Sequence, residues 1–198
     1  RIISSFITWY ALDTWYQSLG NAVDDIDNNG YKDIVFAVST WTDMPIYYNF
    51  WNGNFVYWLL TWSKWPASDV DIADMNNDGL LDIVWWYTTW WGNVDTLKIF
   101  INNWDGSFSS MIVTWSMNNI WNIQVYDIDN NGYKDIATFN NQSGNIPNWV
   151  ATTSWWLVRY NTNLTFTQFV IPNASTNAMS FELHDFDNDT TNEMLIRN

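Results

Sequence analysis

One stretch of this chain returns three times, and the repetition limits what the chain can fold into. Asp25-Ile26-Asp27-Asn28-Asn29-Gly30-Tyr31-Lys32-Asp33-Ile34-Val35 is followed 49 residues later by Asp74-Met75-Asn76-Asn77-Asp78-Gly79-Leu80-Leu81-Asp82-Ile83-Val84. A third copy, Asp127-Ile128-Asp129-Asn130-Asn131-Gly132-Tyr133-Lys134-Asp135-Ile136-Ala137, comes after 53 more. A degenerate fourth, Asp185-Phe186-Asp187-Asn188-Asp189-Thr190-Thr191-Asn192-Glu193-Met194-Leu195, comes after a further 58. A period near 50 residues predicts a repeat architecture in which each copy is one supersecondary unit. Residues 1–198 therefore read as a single repeat domain, with loops at 25–33, 74–82, 127–135 and 185–193.

The side chains in these loops fit a hard cation. Oxygen-bearing residues stand at loop positions 1, 3 and 5, a glycine at 6 and a carboxylate at 9, and Ca²⁺ seeks six to eight such oxygens. The ligand sets are Asp25, Asp27, Asn29, Tyr31 and Asp33; Asp74, Asn76, Asp78, Leu80 and Asp82; and Asp127, Asp129, Asn131, Tyr133 and Asp135. Position 7 offers only its backbone carbonyl, so its side chain is free to vary. The fourth set is Asp185, Asp187, Asp189, Thr191 and Glu193, and Thr190 replaces the glycine that allows the turn a positive φ. Three Ca²⁺ sites are expected on this pattern, with the fourth in question. An EF-hand is excluded, because it needs a bidentate Glu at position 12, where this chain has Phe36, Trp85, Thr138 and Ile196.

The residues after each loop, such as Ile34-Val35-Phe36-Ala37-Val38 and Ile83-Val84-Trp85-Trp86-Tyr87, are β-branched and aromatic and predict strands. Further strands are predicted at 45–51 and 55–62, joined by an Asn52-Gly53 hairpin turn. Others fall at 69–73, 96–102, 107–115, 120–126, 155–160, 164–171, 178–184 and 193–198, with an apolar run at Ile2–Tyr10. No helical periodicity competes, so the fold class is all-β. The chain supplies an incoming last strand, three full units of four strands and then strands one and two of a fourth. Four short-turned strands per repeat make the blade of a β-propeller. About three and a half to four antiparallel blades are expected, as part of a larger propeller or of an assembly in which neighbours complete the sheets.

The loop pattern Asp-x-Asp/Asn-x-Asp/Asn-Gly-x-x-Asp-Ile-Val resembles the FG-GAP repeat, as does the strand pair from Leu97 through the Asn103-Trp104-Asp105-Gly106 turn to Phe108. That repeat builds the integrin α-subunit propeller and many secreted microbial proteins. The Phe-Gly and Gly-Ala-Pro signatures of its name are missing, so the likeness is to its calcium-loop branch. It implies Ca²⁺ in the turn between the first and second strands of each blade.

Charge and composition narrow the partners. The formal charge of −14 sits mostly in the four loops, and four Ca²⁺ would leave −6, so the acidity is largely the metal's counterpart. Seven Lys+Arg with no basic patch argue against nucleic acid. No run approaches the 18 apolar residues of a membrane span, and zero cysteines exclude disulfides and thiol catalysis. Ca²⁺ sites of micromolar-to-millimolar affinity work mainly outside the cell, which places the chain extracellularly or at the cell surface. A start at Arg1 reads as a mature or excised portion. Sequons at Asn141, Asn163, Asn173 and Asn188 are no more than chance provides, with Asn163 and Asn173 the better acceptors.

Seventeen Trp stand against two Glu and four Gln. The connections away from the calcium loops are rich in Trp, Thr and Asn: Thr40–Asp43, Trp62–Trp65, Thr88–Asn93 and Asn140–Ser154. Such Trp either close over the blade ends as packing or stack on sugar rings beside hydrogen-bonding Asn and Thr; for Trp85, Trp86 and Trp156 packing is expected. Catalysis finds little support. Outside the loops stand Asp13, Asp43, Asp95, Asp105 and Glu182, and the sole histidine, His184, adjoins loop four without a second. The expected function is a non-enzymatic, calcium-stabilised extracellular segment in adhesion or in surface or filament assembly. Its partners would be other protein chains or glycans, a homo-polymer among them. The alternatives are a lectin using the Trp/Asn face and, less favoured, a polysaccharide-degrading enzyme using clustered carboxylates such as Asp43 and Asp95.

Overall fold

The structure, a computed structural model, describes residues 18–51, 54–88, 95–115, 120–140, 155–171, 180–187, 189 and 193–197. These form fourteen strands and, among the described residues, no helix. The first sheet holds β1 (Ser18–Asp24), β2 (Asp33–Val38), β3 (Met44–Trp51) and β4 (Asn54–Leu60) in that order. The second holds β5 (Ala67–Ala73), β6 (Asp82–Thr88), β7 (Asp95–Asn102) and β8 (Phe108–Trp115). The third holds β9 (Ile120–Tyr126), β10 (Asp135–Asn140), β11 (Trp155–Asn161) and β12 (Phe166–Ile171). Then β13 (Ser180–His184) and β14 (Glu193–Arg197) form a two-stranded sheet. All neighbours are antiparallel, so the described residues make three meandering blades and half of a fourth.

Each Asp loop lies between the first and second strands of its blade, as the resemblance implied. The strand leading into each Asp loop opens the same sheet; it does not close the preceding one. The loop is a wide hairpin whose ends pair directly, Asp24 with Asp33, Ala73 with Asp82, Tyr126 with Asp135 and His184 with Glu193. That shared register fixes which face every side chain takes, because side chains alternate along a strand.

Successive first strands lie side by side, β1 against β5, β5 against β9 and β9 against β13. The core consists of the layers between blades. One layer joins Ala22, Val35, Ile46 and Leu60 of blade one to Ile83, Trp85 and Phe100 of blade two. A second joins Val84, Trp86, Leu97 and Ile99 of blade two to Ile123 and Ile136 of blade three. Consecutive Trp85 and Trp86 thus serve opposite layers, both buried as packing requires; Trp156's side chain lies outside the description. Each fully buried Ile or Phe in these layers contributes about 1.5–3 kcal/mol.

β1 can approach β5 because position 20 is glycine. A Cβ there would stand 2.4 Å from Asp69 Oδ1 and 3.0 Å from Asp69 Cα. The Ile2–Tyr10 run, the Asn52-Gly53 turn and the 141–154 connection lie outside the described residues, as do Asn141, Asn173 and Asn188; the strands flanking that turn pair Trp51 with Asn54.

Candidate metal centre

Each loop folds around its first carboxylate. Asp25 accepts the Asn29 and Gly30 N–H groups at 3.0 and 2.8 Å, Asp74 those of Asp78 and Gly79 at 3.2 and 2.9 Å, and Asp127 those of Asn131 and Gly132, both at 3.0 Å. These bonds force position 4 into the left-handed region, with φ of 57° at Asn28, 60° at Asn77 and 57° at Asn130, and the glycine after next to 86–91°. Asn tolerates that region better than most residues, and glycine tolerates it without strain. Position 3 adds a second acceptor: Asp27, Asn76 and Asp129 each take the position-5 N–H at 3.1–3.2 Å. Position 5 then bonds the position-7 N–H, as in Asn29 to Tyr31 at 2.8 Å, Asp78 to Leu80 at 2.8 Å and Asn131 to Tyr133 at 2.7 Å.

Position 9 anchors the loop to the blade. Asp33, Asp82 and Asp135 are fully buried. One oxygen of each accepts the position-2 N–H of Ile26, Met75 or Ile128 at 2.8–2.9 Å. The other accepts the N–H of Asn49, Asn102 or Asn161 on the third strand at 2.7–2.9 Å. Glu193 does the same for Phe186 N–H at 2.8 Å in loop four. Burial pushes the Asp33 and Asp135 carboxyls above their ordinary range despite these donors, and Asp82 up to about 6, with the neighbouring loop charges adding to each.

The carboxylates converge. Asp25, Asp27 and Asp33 bring one oxygen each within 4.8 Å of one another, and so do Asp127, Asp129 and Asp135. Loop four gathers four, Asp185, Asp187, Asp189 and Glu193, although its sequence departs most from the pattern. Lengthening Asp to Glu at position 9 keeps that carboxylate in reach. Thr190 and Thr191 lie outside the described residues. Loop two substitutes Asn76 for the position-3 carboxylate and keeps the same backbone bonds, with Asn76 Nδ2 donating to Asp78 Oδ2 at 2.9 Å. Like charges held this close in a partly buried loop, with oxygen as the only donor type, fit a hard divalent cation.

Several participants escaped the motif. Asn102 donates its side-chain amide to Ile26 O of the preceding blade's loop at 3.0 Å and to Leu81 O of its own loop at 3.2 Å. Asn161 does likewise to Met75 O at 2.7 Å and Lys134 O at 3.0 Å. Position 4 links loops in the other direction, Asn28 to Gly79 O at 3.3 Å and Asn77 to Gly132 O at 2.9 Å. The carboxylates outside the loops also number more than the sequence reading took in. Asp24 pairs with Lys32. Asp69 and Asp71 reach from β5 to β9, accepting Ile123 N–H and Val125 N–H, each at 2.8 Å.

The opposite end of the blades carries the Trp-rich connections. Trp41 and Trp65 meet at 5.1 Å between ring centroids, and Trp65 stacks on Tyr87 at 5.7 Å. Trp41 remains 53% exposed and Trp62 79% exposed. Asp43 is used structurally, accepting Ser63 N–H at 3.1 Å. Trp90, the 89–94 connection and the side chains of Asp95 and Glu182 lie outside the description, as does Asp13. His184 is exposed, edge-on to Phe186 at 5.3 Å.

No curated protein matches the chain. Residues 25–85, from Asp25 of loop one to Trp85 within β6, match the FG-GAP-like repeat family. Repeats of that family form β-propellers, commonly serve adhesion or protein binding, and are typically non-catalytic. Residues 25–85 are thus similar to the FG-GAP-like repeat, and the four-stranded antiparallel sheets are built as blades of a β-propeller.

Proposed function

We propose that the chain is a calcium-stabilised β-propeller segment that acts outside the cell in adhesion or surface assembly, without catalysis. The observation that carries this reading is the convergence of carboxylate oxygens in loops one, three and four. The residues that would hold Ca²⁺ are those at positions 1, 3, 5 and 9, with the position-7 carbonyl. When bound, the ion neutralises the crowded charge. The chain's own part is to hold the loop in register through position 9 and the third-strand Asn.

Calcium removal tests the reading. A ligand that binds only the folded state stabilises it by about 2.7 kcal/mol per site at a hundredfold excess over its dissociation constant. For a chain of this size that is about 5–10 °C of melting temperature per site. The melt in Ca²⁺ should therefore exceed the melt in chelator by at least that much, and superimposed curves would sink the proposal. A second reading, glycan binding, is favoured by the exposed Trp41 and Trp62 at the end away from the loops.

A further inference from the structure

We propose that Asn29 and Asn131 are modification sites, held unreactive by the folded loop and converted to an acid, with loss of ammonia, once that loop opens. The proposal goes beyond the calcium reading and stands on covalent chemistry and hydrogen bonds alone.

Asn is thermolabile, and most so before Gly, which has no Cβ to block the approach of its own nitrogen to the amide carbon. Such pairs stand at 29–30, 52–53 and 131–132, the second of them outside the described residues. The other two occupy positions 5 and 6 of loops one and three, and both Asn29 and Asn131 are exposed to water. In the reaction the Gly nitrogen gives up its proton and bonds to Asn Cγ. The Cγ–Nδ2 bond breaks, and Nδ2 departs with that proton as ammonia. Water then opens the cyclic imide at either carbonyl, leaving aspartate or its β-linked isomer.

The folded loop opposes each part of that step. Gly30 N–H donates to Asp25 Oδ2 at 2.8 Å and Gly132 N–H to Asp127 Oδ2 at 3.0 Å. Losing the proton there would set a second negative charge against a carboxylate, which disfavours the loss. The amide that must swing over the nitrogen is fixed at both of its ends. Asn29 Oδ1 accepts Tyr31 N–H at 2.8 Å, and its Nδ2 donates to Asp27 Oδ2 at 3.1 Å and Asn49 O at 3.0 Å. Asn131 repeats the arrangement with Tyr133 N–H at 2.7 Å, Asp129 Oδ2 at 3.2 Å and Asn161 O at 3.0 Å.

The product cannot resume that place, because an ionised acid has no N–H to give either acceptor. Loop two shows what an aspartate at position 5 requires. Asp78 stands there, and position 3 supplies the amide instead, Asn76 Nδ2 donating to Asp78 Oδ2 at 2.9 Å. Loops one and three have Asp27 and Asp129 at position 3, so conversion sets two carboxylates side by side with no amide between them. The β-linked isomer also adds a backbone atom, which moves the Gly N–H off its carboxylate. A loop that has opened is thus marked irreversibly, and loops one and three become a record of opening.

The experiment uses the whole chain at mildly alkaline pH, folded in Ca²⁺ or unfolded in urea. Mass spectrometry of proteolytic peptides follows conversion at each Asn over time. Both should convert in urea, and in the folded protein about tenfold or more slowly, since reaction there waits on local opening. Asp27→Ala, at an exposed position, removes a partner from Asn29 alone and should speed its conversion in the folded protein while Asn131 stays slow. Asp129→Ala should do the reverse. Equal rates folded and unfolded, a variant that leaves its own Asn as slow as wild type, or both Asn accelerating together in either variant would overturn the proposal. Melting of the same samples with and without chelator reports separately on the calcium reading.

Discussion

Asn161 has no exposed surface, and its side chain is committed to backbone on every side. Its amide donates to Met75 O and Lys134 O, and its oxygen accepts Leu164 N–H at 2.7 Å. Removing a partner from buried backbone groups costs about 1–3 kcal/mol for each group left unsatisfied. Asn161→Ala should therefore lower the unfolding free energy by about 2–4 kcal/mol. Asn49→Ala, which loses one longer bond, should cost less than about 1.5 kcal/mol. Urea denaturation of the two variants in Ca²⁺ compares them directly, and equal losses would refute the inter-blade role of this Asn. The Asp-loop positions were legible in the sequence because their spacing repeats from copy to copy. The third-strand Asn was not, because it falls 16, 20 and 26 residues after position 9 in successive blades. Connections of different length separate the two, so no motif can register it.

At the scale of the strands, β5 and β9 are joined by carboxylates where β1 and β5 are joined by close approach. Burial raises Asp69 to about 6 and lifts Asp71 above its ordinary range, even though backbone N–H groups of β9 face both. Asp82 stands at about 6 for the same first reason. A carboxyl whose folded pKa is raised holds its proton longer folded than unfolded. Its contribution to stability is then present below the unfolded value and lost as pH rises through the folded one. In chelator, the urea midpoint should fall as pH climbs from about 4 to about 6. In saturating Ca²⁺ the slope should reverse, since the ion binds deprotonated ligands. A chelated protein that gains stability over that window would contradict the assignment. Strand existence was readable from β-branched and aromatic runs, while the family resemblance, not the strand pattern, put the Asp loop between the first and second strands of each blade. A wide Asp hairpin inside a sheet and a crossover between sheets have the same appearance in sequence, and only the pairing of Asp24 with Asp33 separates them.

Taken whole, the molecule has two chemically different ends. The loop end is oxygen-rich and anionic, and the other exposes aromatic rings, Trp41, Trp62 and Trp65. If that end binds sugars, a glycan array should show saturable binding that Trp41→Ala reduces at least tenfold while the melting temperature holds; a change in melt without a change in binding assigns Trp41 to packing. The loop-to-loop links have a further consequence. Asn28 and Asn77 grip a carbonyl of the following loop, and Asn102 and Asn161 grip a carbonyl of the preceding one. Both joints between the three four-stranded blades thus use the same backbone handles, whatever the other side chains have become. A gene segment encoding one blade, duplicated in tandem, would meet compatible neighbours at once, so such a lineage can lengthen or shorten its array without first evolving a new joint.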